Sequence, residues 1–247
     1  LEQFGTMKLS DVMKPAIELA EQGIAVDWFL TLKAATMAKE LARYPVTRDI
    51  WLPNGFPPVT PAGAPLERLK LKGLAATLKR LASAGRRDFY EGEIAASIVK
   101  DAQAMGGILS AGDLRGYRAR VVEPLMADYH KTQFALAPGL TAGPSMLRAL
   151  NGLSGKRFRR NGPHADAFVA YAEVMRQAYA ERLETMGETA DRRAPSTTTH
   201  LNVVDRHGNM VALTQTLLSV FGSKVVLPGT GILMNNGIMW FDPRPGT

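Results

Sequence analysis

Cysteine is absent from the 247-residue chain. Without thiols the chain has no disulfide, no thiolate metal site and no cysteine nucleophile, and its redox compartment stays open. Long apolar runs are absent too, since no stretch approaches the roughly 20 residues that a membrane-spanning helix needs. We therefore expect no membrane partner. No signal peptide opens the chain, so a cytoplasmic location is favoured over a periplasmic one, although the first residues read like interior sequence and a targeting segment could precede them.

Aromatic residues are scarce, at 7% of the chain, and this bears on the meaning of its positive charge. The formal net charge is +7, with basic runs at 85–87 and 156–160. Neither run belongs to a recognisable nucleic-acid module, and few aromatics are available for stacking on bases. Solvated loops are therefore the favoured interpretation, and we expect no nucleic-acid partner. Attraction of an anionic substrate is compatible with the charge.

Several common catalytic motifs are also missing. The chain has no GxGxxG, no Walker loop, no HExxH and no GxSxG, which removes the usual signatures of dinucleotide, nucleotide, zinc-protease and serine-hydrolase sites. Its four histidines, at 130, 164, 200 and 207, show no metal-like spacing. We predict neither a metal nor a cofactor.

The hydrophobic periodicity changes near residue 187. Before it, apolar residues recur mostly at helical spacing, as in the helix predicted from His164 to Leu183, and two strands are expected at 118–129 and 132–137. A polar connector at 187–195 follows, and strands of period two are expected from there to the end. Helices and then strands, without regular alternation, predict an α+β fold with an antiparallel sheet.

A threonine cluster, Thr197 to Thr199, opens the first of these late strands. Threonine is β-branched and common in strands, so the cluster could be ordinary strand sequence. It could also hold a nucleophile, if the chain is cut just before one threonine so that the freed α-amine accepts the proton of its own hydroxyl. The approach through Pro195 and Ser196 would supply a flexible junction for that cut. Spacing alone leaves both interpretations open.

Several segments, taken in order, resemble the γ-glutamyltranspeptidases and cover nearly the whole chain. Those that resemble the family's small subunit are TTHLNVVD at 198–205, GNMVALT at 208–214, FGS at 221–223 and GILMNN at 231–236. Those that resemble its large subunit are FGTM at 4–7, PAIELA at 15–20, FYEGEIA at 89–95, GGIL at 106–109, DL at 113–114 and AYAER at 178–182.

The resemblance implies the αββα sandwich of an N-terminal-nucleophile hydrolase, made as a proenzyme that cleaves itself between Thr197 and Thr198. Residues 1–197 would be a large-subunit portion and residues 198–247 the start of a small subunit, together forming one domain. The cleaved subunits would stay together as a heterodimer, with pairing of two heterodimers left open. Thr198 would be the nucleophile and, through its amine, the base. Thr216 matches the threonine whose hydroxyl supports it.

Three positions depart from the pattern of glutamyl-specific members. Those members hold the substrate α-amino group with an Asn, a Gln and an Asp, where this chain has Leu218, Gly237 and Trp240. A buried ammonium without acceptors is costly. The departures therefore predict a substrate without an α-amine, as in the branch that contains glutaryl-type cephalosporin acylases and oxamate amidohydrolase.

Three further positions are candidates for substrate binding. Lys224 could pair with a substrate carboxylate, although a solvated loop lysine is the favoured alternative. Asn235 and Asn236 match the floor of the family's pocket, or serve only as turn residues. The family's carboxylate-binding Arg and its oxyanion hole would lie outside this chain, which is expected to be an incomplete part of the fold and, by itself, catalytically incomplete.

The predicted function is a self-processing threonine amidohydrolase that cleaves a small carboxylated amide through an acyl-enzyme on Thr198. A true γ-glutamyltransferase or glutathione hydrolase is the alternative within the family. An inactive family member that acts as a binding module is the alternative of another class.

Overall fold

A computed structural model describes residues 1, 3–158, 161–185 and 197–240. The chain divides into two compact units, the first comprising Leu1–Arg118 and Ala194–Ile238 and the second Ala119–Arg193 and Met239–Thr247. The predicted boundary between 1–197 and 198–247 concerns cleavage and stays a prediction. Within the described part, no helix has the length and apolar character that crossing a bilayer requires.

Helices dominate the N-terminal part of the first unit. They are α1 (Leu9–Gln22), α2 (Trp28–Thr36), α3 (Ala38–Leu41), α4 (Pro45–Trp51), α5 (Lys72–Ala84), α6 (Arg86–Glu91), α7 (Glu93–Ala104) and α8 (Ala111–Gly116). The apolar pattern that suggests one helix after Trp28 spans two helices, which meet at Met37. The prolines and glycines of residues 45–65 predict a loop, but Pro45 begins a helix, because a proline at the first helical position loses no hydrogen bond.

Another expected helix begins later than the sequence suggests. Apolar spacing and Pro65 predict a start at Pro65, but α5 begins at Lys72. The residues just before it instead form the short strand β2 (Arg68–Leu69), which pairs antiparallel with β1 (Ile24–Ala25). Pairing with a distant segment therefore overrides the local helical pattern.

Asp88, in α6, fastens the start of α7. Its carboxylate accepts two hydrogen bonds from the Arg80 guanidinium, at 2.8 and 2.9 Å. It also accepts from the backbone N–H groups of Glu93 and Ile94, which lie in the first turn of α7. The hydrogen bond from Arg80, helped by these backbone donors, holds the pKa of Asp88 below its ordinary value.

The second unit contains an antiparallel pair and two helices. Strands β3 (Leu125–Tyr129) and β4 (Thr132–Leu136) form the pair, and α9 (Gly143–Leu153) and α10 (Ala165–Thr185) are the helices. The helix predicted at 164–183 is confirmed within two residues. The buried face of α10 consists of small apolar side chains, namely Ala167, Ala170, Val174 and Ala178.

The second segment of the first unit begins with a β-hairpin. Strands β5 (Thr197–Val204) and β6 (Met210–Leu218) pair antiparallel. The expectation of further strands to the end is wrong for the described residues, because a turn follows, then an isolated bridge between Val226 and Leu233, and then a 3₁₀ turn at Gly237–Trp240. We call residues 225–234 the strap.

The strap fixes the hairpin on the helices. Val226 and Leu227, at 2% and 1% exposed, enter two separate apolar clusters of the first unit. The N–H of Val226 donates to the Thr47 hydroxyl at 2.9 Å, and the Thr77 hydroxyl donates to the Thr230 carbonyl at 2.7 Å. Because both bonds are buried, breaking either would leave a polar group without water.

Candidate active site

Most of the polar side chains of the hairpin strands lie on one face. Residues two apart on a strand share a face, so Thr198, His200 and Asn202 lie together on β5. The strand register places Thr216 directly opposite Thr198 and Thr214 opposite His200. Thr198 is exposed and Thr216 is half-buried. The structure therefore brings the predicted nucleophile and its predicted supporting threonine into one cross-strand pair.

The strand register breaks beside this pair. Thr198 pairs with Thr216, whereas the preceding Thr197 pairs with Leu218. Strand β6 thus carries one extra residue, Leu217, opposite the peptide bond between Thr197 and Thr198. The N–H of Leu218 donates to the Thr216 hydroxyl at 2.9 Å. This bond orients the Thr216 oxygen, whose O–H can be donated in turn.

Leu218 is a core residue with an unusual backbone. Its side chain is 1% exposed and its φ is 76°, in the left-handed region. Asn236 contacts the backbone on both sides of it: its N–H donates to the carbonyl of Leu217 at 3.1 Å, and its Oδ1 accepts from the N–H of Ser219 at 3.0 Å. Asn236, predicted as pocket floor, therefore also holds the end of β6.

Lys224 lies on the turn after β6, also with a left-handed φ, of 65°. Its half-buried ammonium donates to the Ser219 hydroxyl at 3.0 Å and to the Gly222 carbonyl at 2.9 Å. Both acceptors are neutral, and no ion pair involves Lys224 within the residues that the structure describes. The charge is thus held on the turn, with an ammonium hydrogen left to donate.

The remaining predicted positions are only partly visible. Asn235 is exposed, and its Oδ1 accepts from the N–H of Gly237 at 2.9 Å. The side chain of Trp240 and the residues Pro195 and Ser196 lie outside what the structure describes.

Sequence reasoning missed a hydrogen-bonded histidine on the same face. His200 Nδ1 lies 2.7 Å from the Thr214 hydroxyl, and its Nε2 lies 3.0 Å from Asn202 Oδ1. An amide oxygen only accepts, so Nε2 carries a hydrogen, and in the neutral ring Nδ1 accepts from Thr214. The alternation of β5 could have shown that His200 shares the face of Thr198. No group of three or more metal-ligating side chains occurs in the described ranges.

Comparison with known proteins gives a consistent result along the whole chain. The family model for gamma-glutamyltranspeptidase matches residues 1–195 and 183–246. An Acylase ACY 1 proenzyme from Pseudomonas sp. (strain SE83) is 31% identical over all of this chain and 50% of its own length. A glutathione hydrolase proenzyme from Escherichia coli (strain K12) is 30% identical over all of this chain and 49% of its own length. The chain thus spans about half the length of these relatives.

Solved structures show the same relationship. A cephalosporin acylase from Bacillus halodurans matches with a TM-score of 0.81 at 26% identity, over 99% of this chain and 51% of that chain. The Bacillus anthracis transpeptidase enzyme CapD matches with a TM-score of 0.62 at 29% identity, over 75% of this chain and 62% of that one. The α+β fold of the N-terminal-nucleophile hydrolases, of which this chain is a part, is thereby confirmed. The chain belongs to the gamma-glutamyltranspeptidase family of enzymes.

Proposed function

We propose that the protein is a self-processing threonine amidohydrolase whose substrate is a small carboxylated amide without an α-amino group. The observation that carries the proposal is the cross-strand pair of Thr198 and Thr216 at the start of β5. A threonine hydroxyl needs a base at neutral pH, and a freed α-amine on the same residue supplies one at short range. Two of the similar proteins bear the name proenzyme, which supports a cleaved precursor.

The proposed reaction uses few groups of this chain. The Thr198 hydroxyl attacks the amide carbonyl while its α-amine accepts the proton, and the Thr216 hydroxyl donates to the attacking oxygen. The amide C–N bond then breaks, the amine product takes the proton, and an acyl ester remains on Thr198. Water hydrolyses that ester, giving the acid and the free hydroxyl.

Leu218 and Gly237 support the choice of substrate. Leu218 is apolar and almost fully buried, and Gly237 has no side chain, so neither offers an acceptor to an ammonium group. Trp240 is assigned to the same pocket from the sequence alone. An α-amine desolvated beside these residues would lose its hydrogen bonds to water without replacement.

Lys224 supplies the proposed carboxylate anchor. Its ammonium is half-buried and bonded only to neutral oxygens, so an incoming carboxylate would be the first negative partner that it meets in the described part of the chain. Asn235 and Asn236 would form the floor beside it. A charge-assisted hydrogen bond of this kind is stronger than a neutral one.

We also propose that the two cleaved chains remain associated. Two buried hydrogen bonds, between Val226 and Thr47 and between Thr77 and Thr230, join residues on opposite sides of the Thr197–Thr198 peptide bond. Both bonds, and the apolar clusters around the strap, survive a cut at that point. The cleaved protein would therefore be a heterodimer held by this interface.

An activity panel on the protein expressed from its complete natural coding sequence tests the substrate. We expect faster hydrolysis of oxamate or a glutaryl amide than of a γ-glutamyl anilide, and little activity in Thr198→Ala. Lys224→Met should raise KM for the carboxylated amides, whereas Lys131→Met, on an exposed turn, serves as the matched control. Fast turnover of the γ-glutamyl compound would refute the substrate assignment.

Glutathione hydrolysis or γ-glutamyl transfer is the second candidate within the family. The glutathione hydrolase of Escherichia coli and the Pseudomonas acylase are almost equally similar, at 30% and 31% identity. Overall identity therefore does not select between them, and the panel decides.

A binding module without activity is the remaining alternative. It predicts one uncleaved band on a denaturing gel, identical to that of Thr198→Ala. Cleavage to two bands in the wild type alone would eliminate it.

A further inference from the structure

We propose that Leu218 and Asn236 form a backbone clamp that holds the Thr197–Thr198 peptide bond out of regular strand pairing, in position for self-cleavage. This role is separate from substrate selection, and it rests on the proposed self-processing. It gives the local geometry of β6 a role in addition to the chemistry of Thr198 and Thr216.

The first observation is where the register breaks. In the whole length of β5 from Thr198 to Val204 each residue pairs with a single successive residue of β6, and the shift falls between Thr197 and Thr198. A bulge places two residues of one strand opposite one of the other, interrupts the ladder and increases the local twist. Here the interruption coincides with the bond that the sequence predicts to be cleaved.

The second observation is the conformation that makes the break possible. Leu218 has a φ of 76°, which residues other than glycine, asparagine and aspartate rarely adopt. Burial of its side chain, at 1% exposed, keeps the residue in place despite that backbone. Strained residues that their surroundings enforce in this way concentrate at functional sites.

The third observation is that hydrogen bonds hold three backbone groups at the bulge. The N–H of Leu218 donates to the Thr216 hydroxyl, the carbonyl of Leu217 accepts from the N–H of Asn236, and the N–H of Ser219 donates to Asn236 Oδ1. These bonds replace the ladder bonds that the register shift removes. The bulge is therefore a fixed structure of the folded chain.

In this proposal, the clamp serves the chemistry by keeping the scissile peptide group out of a regular ladder. The Thr198 oxygen attacks the carbonyl carbon of Thr197, its proton passes to the nitrogen of Thr198, and the C–N bond breaks to leave an ester and an amine. Water then hydrolyses the ester, which restores the Thr198 hydroxyl and leaves a carboxylate on Thr197. A peptide group fixed in a regular ladder would have to leave its pairing before this attack.

Substitutions at Leu218 test the clamp in the protein expressed from its complete natural coding sequence. Leu218→Ile keeps volume and hydrophobicity, but its branched Cβ strongly opposes a φ of 76°. We expect self-cleavage at Thr198 to slow by about 10-fold or more. Leu218→Met, unbranched and similar in volume, should stay within about threefold of wild type, and so should Leu218→Asn.

Asn236 provides an independent pair of variants. Asn236→Asp keeps an oxygen for the N–H of Ser219 and should cleave nearly normally, whereas Asn236→Leu removes it and should cleave about 10-fold more slowly. The readout is the rate at which the new N-terminus at Thr198 appears, followed by mass spectrometry after translation is stopped. Circular dichroism on a Thr198→Ala background checks that each precursor folds.

The outcomes separate this inference from the proposed function. If wild type never cleaves between Thr197 and Thr198, the proposed function fails. If wild type cleaves and both Leu218→Ile and Asn236→Leu cleave at the wild-type rate, the clamp is refuted while self-processing stands. Slow cleavage confined to a folded Leu218→Ile and Asn236→Leu, with Leu218→Met and Asn236→Asp fast, supports the clamp.

Discussion

Two threonines of β6, Thr216 and Thr214, allow the same substitution to be made in two environments. Both lie on the hairpin face of Thr198, and Thr→Val replaces a hydroxyl by a methyl of similar size. The Thr216 hydroxyl accepts from the N–H of Leu218, a residue that is 1% exposed, whereas the Thr214 hydroxyl bonds to the exposed His200. Thr216→Val should therefore be the more damaging change.

The magnitude follows from what each substitution leaves behind. Thr216→Val leaves the backbone N–H of Leu218 without its acceptor in a partly buried setting, which costs about 1–3 kcal/mol. Thr214→Val leaves only groups that water can reach, and surface substitutions usually change stability by about 0.5 kcal/mol or less. We expect the two variants to differ by about 0.5–3 kcal/mol, the difference between these values.

Urea unfolding of the uncleaved precursor measures this difference. Both variants are made on a Thr198→Ala background, so that each sample is a single chain. Fluorescence reports on the first unit through Trp51, which is 9% exposed and packs against Phe221 at a ring distance of 4.9 Å. Thr216→Ser, which keeps the hydroxyl, should lie close to the reference. Equal losses in Thr216→Val and Thr214→Val would refute the reasoning.

Three further predictions concern the packing and hydrogen bonds of the first unit. Gly222→Ala should cost at least about 2 kcal/mol more than Gly208→Ala in urea unfolding, because both have positive φ but only at Gly222 would a Cβ meet backbone, a carbonyl oxygen at 2.3 Å. Equal costs would contradict this. Asp88 has a lowered pKa, caused chiefly by its bond from Arg80, so its contribution is present above pH about 4 and lost as pH falls through the folded pKa. Stability of Asp88→Asn should accordingly fall less steeply below pH 4, and parallel curves would disprove it. Thr47→Val should lower stability by about 1–3 kcal/mol by removing the acceptor of a buried N–H, with Thr47→Ser as the milder control.

Elements with a strong local signal could be predicted from the sequence. The long helix α10 has a continuous 3.6-residue pattern, and the hairpin β5–β6 has alternation around the turn 205–209, so both appear where expected. Alternation predicts that Thr198 and Thr216 lie on strands, and the family resemblance marks them as candidate site residues. The late start of α5 has a nonlocal cause, since the residues before it form β2, which pairs with β1 through Ile24 and Leu69, 45 positions apart.

The candidate site needed more than alternation. A strand pattern indicates which side chains share a face, but it does not indicate a register shift, so the bulge beside Thr198 was not predictable. Leu218 reads as an ordinary apolar strand residue, yet its backbone is left-handed. The sequence predicts Asn236 as part of the floor of the substrate pocket, whereas in the structure its polar groups also bond to the backbone near Leu218.

The sequence by itself determined the types of the main elements, the family and the identity of the proposed nucleophile, because periodicity and ordered motifs are local properties of the chain. Only the tertiary structure decided how the hairpin is held. The buried bond between Thr47 and Val226 joins residues 179 positions apart, and the backbone of Leu218 depends on its burial and on Asn236. Such contacts depend on which distant groups meet in the folded core, and no local pattern encodes that meeting.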